Sequence, residues 1–185
     1  MTRAEPRAEH QFWTLGTQYY IAGRSAVFLK LVRIYGNIYH HAIETLLKAG
    51  LSREISLDDL KNPKKFGHDL HKLWPAFKAQ FHWAELGGFD QTIADLHRFE
   101  EIRYPDQILK HGATIQVKPD STVDTQQSSS RYEVNKHDLD SLVFALFETC
   151  RVIPGLYFSQ RAGFPYTREM VMDDNPVADQ LFASL

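Results

Sequence analysis

The sequence predicts an all-α fold, an up-and-down bundle of four to five helices. A small β-ribbon or flexible insert is expected around residues 113–134, with C-terminal helices after it. Three observations lead there. Within and just before YHHAIETLLKAGL at 39–51, residues Tyr35, Tyr39, Ala42, Ile43, Leu46 and Leu47 recur at spacings of three and four, which makes one broad apolar stripe on a helix. Three further long segments repeat that period. Only ATIQV at 113–117 and RYEV at 131–134 alternate as strands do.

Taken in order, residues 1–8 are charged and small and read as a frayed lead-in. Residues 11–32 form a first helix, with Phe12, Leu15, Tyr19, Ala22, Ala26 and Leu29 in period. Gly16 and Gly23 each cost a helix interior about 1 kcal/mol against alanine, so they are expected to permit close helix approach. In the second helix, His40, Glu44 and Lys48 follow one another at i, i+4 and line the polar edge, and Gly50 supplies the stop. A connection with one short turn near 57–60 leads to a third helix, opened by His68 or Asp69 and broken or kinked at Pro75. Gly87-Gly88 separates it from a fourth helix over 90–102, which ends before Tyr104-Pro105. Residues 118–130 are polar and of low complexity, the tip of the ribbon or a disordered insert. Asn135 caps a fifth helix to about 151, an irregular aromatic segment follows, and 176–185 can form a last short helix.

Composition removes several classes of function. With 43% apolar residues the chain can bury a core as a single domain over 1–185. Twenty-one Lys and Arg against 23 Asp and Glu leave a net charge of -2, so no global field favours nucleic acid. Cys150 is the only cysteine, which excludes an intrachain disulfide and a multi-cysteine metal site. No apolar run approaches the roughly 18 residues of a membrane span, so the chain reads as a soluble, cytoplasmic protein. Cys150 sits on an apolar face and reads as core. His40 and His41 before Glu44, and His68 with His71 at i, i+3, could place metal ligands on a helix face. Neither makes a known catalytic motif, so no metal and no cofactor is expected.

The order of the first helix, HHAIETLLKAGL, FGHDLHKLW and RFEEIRYPD resembles the HEPN family of small helical bundles. The matching motifs are Ala-x-Glu-x-x-x-Lys at Ala42, Glu44 and Lys48, His-Asp-Leu at His68 to Leu70, and Arg-Tyr-Pro-Asp at Arg103 to Asp106. Together they cover about residues 12–110; the ribbon at 113–134 and the helices of 135–185 lie beyond them. The resemblance implies a bundle that often dimerises and a nucleotide or RNA-related role, frequently beside a nucleotidyltransferase. It also implies, in some members, metal-independent RNA cleavage by Arg, four to six residues, then His. Here Arg103 to His111 has seven intervening residues, and Arg131 to His137 has five but lies outside the matched stretch. No catalytic residue is therefore assigned, Arg103, His111, Arg131 and His137 being the candidates such a motif offers.

The first expectation is thus a non-catalytic binding module. Its polar groove is built from Arg24, His40, Glu44, Lys48, His68, Asp69 and Arg103, and either holds a nucleotide or phosphate or ties the helices together. Arg24 either reaches that groove or packs its stem and sends its head to water. A toxin-type ribonuclease and a purely structural dimerisation module are the alternatives. Homodimerisation is expected because helices one and five and the aromatic tail at Leu156, Tyr157, Phe158, Phe164 and Tyr166 offer apolar surface beyond what one bundle easily hides.

Overall fold

A computed structural model describes residues 6–31, 34–103, 114–118, 131–162 and 167–183. The protein is an all-α bundle. Helix α1 (Pro6–Phe28) and helix α2 (Tyr35–Leu51) pack along their length and form its spine. The apolar stripe of α2 is what the sequence indicates: Tyr35, Tyr39, Ala42, Ile43, Leu46 and Leu47 are all buried. Close approach depends on the two glycines of α1. A Cβ at Gly16 would lie 2.7 Å from the Leu46 side chain, and one at Gly23 would lie 2.4 Å from the Tyr39 ring.

The boundaries of α1 differ from expectation. It starts at Pro6, a residue preorganised for a first helical turn, inside what reads as lead-in, and it stops at Phe28, with Lys30 at φ +57° turning the chain. Gly50 does not end α2 either. It lies within the helix, where a Cβ would meet Phe77 at 2.6 Å and Cys150 at 2.9 Å, so its smallness serves packing.

Helix α3 (Leu57–Lys61) is capped by the Ser56 hydroxyl, and α4 (Leu70–Gln80) by Asp69, whose carboxylate accepts from the His71 N–H. Pro75 does not end α4. The helix runs on to Gln80, with Trp74 and Phe77 buried on either side of the proline. Helix α5 (Asp90–Arg98) continues as a 3₁₀ turn over Phe99–Ile102.

Strands β1 (Thr114–Lys118) and β2 (Arg131–Asn135) do pair, but in parallel, Thr114 beside Arg131 and Lys118 beside Asn135. The 12 residues between them are as many as a parallel crossover needs, whereas a hairpin needs two. The expected tip at 118–130 lies, from residue 119, outside the described residues. Tyr132 and Val134 of β2 are buried, Tyr132 against Phe99 with ring centroids 5.8 Å apart.

Asn135 caps helix α6 (Lys136–Thr149) as the sequence indicates, its side chain accepting from the N–H groups of His137 and Asp138. The aromatic segment is more regular than expected: α7 (Gly155–Ala162) and α8 (Thr167–Met172) fold back over α1, and α9 (Ala178–Phe182), the last short helix indicated within 176–185, packs on them. Phe158 is fully buried, edge-on to Tyr20 at 5.8 Å. No described helix is long and apolar enough to cross a membrane.

Candidate functional site

The polar edge of α2 is the centre of a histidine-rich cluster. Glu44 projects from it, almost fully buried, and is met by three donors. Lys48, one turn along, donates from Nζ to Oε1 at 2.6 Å. His41, at i, i+3 on the same face, places Nδ1 3.2 Å from Oε2. His68, from the segment before α4, places Nδ1 3.0 Å from both carboxylate oxygens. Burial pushes the Glu44 carboxyl up, but the hydrogen bonds from His41, Lys48 and His68 and the Lys48 charge outweigh it and bring the value down to about 2. Glu44 is therefore a carboxylate throughout the physiological range.

His40 sits beside this group, fully buried. Its Nδ1 lies 3.2 Å from the Leu96 carbonyl oxygen and its Nε2 3.0 Å from that of His68. It thereby ties α2 to α5 and fixes the backbone that presents His68. The imidazoles continue outward: His40 stands 6.2 Å from His97 between ring centroids, and His97 stands 4.0 Å from His71. Burial, with His71 alongside, pulls His97 below the usual histidine range, and its Nδ1 lies buried without a hydrogen-bond partner among the described residues. Five of the nine histidines thus share one edge. Asp69 joins them 3.9 Å from His97, and Arg103 pairs at 2.9 Å with Glu100, itself 3.9 Å from His40.

Of the residues the sequence singles out, His40, Glu44, Lys48, His68, Asp69 and Arg103 come together here. Arg24 does not. Its guanidinium donates to Asp140 at 2.8 Å and to the carbonyls of Met170, Val171 and Asp173, all within a buried network that also holds Tyr20. Burial raises the Asp140 carboxyl to about 6 in spite of Arg24 and the Tyr20 hydroxyl, which leaves the pair ionised at neutral pH. The Arg24 head is neither in the groove nor in water; it clips α8 and α6 to α1.

Three histidines join the expected groove: His41 and His71, indicated by the sequence only as possible metal ligands on a helix face, and His97. His41 carried a usable signal, its i, i+3 spacing to Glu44; His97 carried none, because its neighbours come from other helices. Among the nuclease candidates, His111 and the Arg131 side chain lie outside the described residues, and His137 is 3.0 Å from Asp174. Cys150 is core, with burial pushing its thiol up to about 12.

Compared with protein-family models, curated proteins and solved structures, the chain matches none.

Proposed function

We propose that the chain is a HEPN-like helical binding module, without catalysis of its own, that takes the phosphate end of a nucleotide on the histidine-lined edge of α2 and acts with a nucleotidyltransferase or RNA-related partner. The observation that supports this reading is the charge and donor balance of the edge. Its carboxylates, Glu44, Asp69 and Glu100, are matched one for one by Lys48, Lys72 and Arg103, each within 3.5 Å of its partner. The imidazoles of His41, His68, His71 and His97 add ring nitrogens beyond that balance, whereas both nitrogens of His40 face backbone carbonyls. His68, Lys72 and Arg103 reach the surface, at 62%, 43% and 39% exposure, where a ligand can meet them.

The nuclease alternative draws less support from the geometry, since the described members of its Arg and His pairs are occupied by Glu100 and Asp174. Thermal melting with ATP, GTP, AMP and inorganic phosphate tests the binding reading. A ligand at about a hundred times its Kd adds roughly 2.7 kcal/mol to the native state, which raises Tm by about 5–10 °C for a chain of this size. The His68→Ala protein is expected to lose most of that rise. No rise with any nucleotide at millimolar concentration leaves the edge as a tie between helices.

The module pairs as a homodimer in this proposal. Phe28, Leu29, Leu31 and Ile34, at the turn between α1 and α2, are each 46–58% exposed, an apolar cluster of the kind that dimer interfaces cover. Phe158 is withdrawn from that role by its burial within the chain, and Phe164 and Tyr166 lie outside the described residues. Light scattering after size exclusion is expected to give twice the 21.4 kDa chain mass, and Leu29→Lys to halve it. A mass of one chain for the unmodified protein across micromolar concentrations contradicts the dimer.

A further inference from the structure

We infer that His41, Glu44 and His68 form a binding site for a borderline-soft divalent transition metal, zinc above all, coordinated by the two Nδ1 atoms and Glu44 Oε2. Among the described residues, the three donor atoms lie within 4.8 Å of one another. The two distances from Glu44 Oε2 are close to what a tetrahedral site requires. Zinc binds nitrogen and carboxylate oxygen at about 2.0–2.2 Å, which places neighbouring ligand atoms about 3.3 Å apart. Glu44 Oε2 lies 3.2 Å from His41 Nδ1 and 3.0 Å from His68 Nδ1, so the ion needs shifts of only a few tenths of an ångström at those two edges.

The surroundings fit the same assignment. Lys48 occupies the other oxygen, Oε1, and so orients the carboxylate as an outer-sphere partner while leaving Oε2 to the ion. His41 and Glu44 share one face of a buried helix. The His68 backbone is anchored on both sides, by His40 against its carbonyl and by Asp69 capping α4. Glu44 is 5% exposed and His68 62%, so the ion enters from the His68 side and keeps a fourth position toward water. Two imidazoles with one carboxylate suit zinc, and cobalt as its probe, better than magnesium or calcium, which prefer oxygen ligands. Coordination through Nδ1 takes the place of the hydrogen bonds between the two imidazoles and Glu44, and leaves each ring's proton on Nε2.

The inference goes beyond the nucleotide reading and stands without it, because the ion is held by protein atoms alone. Its test is a Co²⁺ titration of the full chain in the absence of nucleotide. The expected result is one equivalent of cobalt per chain, with the intense visible d–d bands of a four-coordinate centre, displaced by one equivalent of zinc. His41→Ala and His68→Ala are each expected to weaken binding by more than about tenfold, the loss that even an outer-sphere change can bring. His82→Ala, whose ring lies beside Trp83 away from the cluster, is expected to leave it unchanged. Far-UV circular dichroism confirms that the variants are folded. No four-coordinate spectrum at stoichiometric cobalt, or equal affinity in the two ligand variants and the native chain, overturns the site.

Discussion

Asp140→Ala is expected to destabilise the protein by about 3–5 kcal/mol, the usual cost of removing one partner from a buried ion pair. Arg24 is 2% exposed and Asp140 fully buried, so the guanidinium left behind has no access to water in which to be solvated. The loss spreads through the network. Tyr20 donates to Asp140 at 2.7 Å and accepts from Asn175, while Arg24 donates to carbonyls at the end of α8. The clip therefore joins α1, α6 and residues 170–175, and its removal is expected to expose that segment to protease before the bundle melts. Urea unfolding at pH 7 measures the effect. A loss below about 1 kcal/mol means that the network does not hold the tail to α1.

Glu44→Gln is expected to cost about 3 kcal/mol near neutral pH and to flatten the acid limb of the stability curve. The carboxyl falls from 4.5 in an unstructured chain to about 2 in the fold, a difference of about 2.5 units at 1.36 kcal/mol each. Because the folded value is the lower one, this stability is fully present above about pH 4.5 and is lost as pH falls through to about 2. The native protein should therefore lose stability across that window, and the Gln variant should lose less. Measuring ΔG by urea titration between pH 2 and 7, with chelator present throughout, resolves the two curves. Parallel curves contradict the assignment of Glu44 as the buried anion that the three donors serve.

The spine and the centre of the site were legible because both are written locally. The stripe of α2 needs only the helical period, and Glu44 with Lys48 needs only i, i+4 spacing. The two α1 glycines announced close packing because a glycine in a helix interior has a cost that something must offset. What failed was non-local. Arg24 finds Asp140 116 positions away, and no spacing in the sequence carries that pairing. The parallel register of β1 and β2 is decided by how the chain crosses between them, which two alternating segments do not encode. His97 reaches His71 and His40 only once α5 is laid against α4 and α2. Glycine and proline in the segment before residue 176 read as irregularity, yet two short helices form there, held in place by burial of Phe158 and Val171.

Whether the imidazoles around Glu44 meet a ligand rather than only joining helices is read from long-range ¹H–¹⁵N spectra of the histidine rings during titration with ATP. The His41, His68 and His71 ring signals are expected to move in step and saturate, while those of His82 and His137, away from the edge, stay in place. Ring signals that all remain fixed at millimolar ATP, or that move equally across the edge and the remote histidines, contradict ligand binding at the edge.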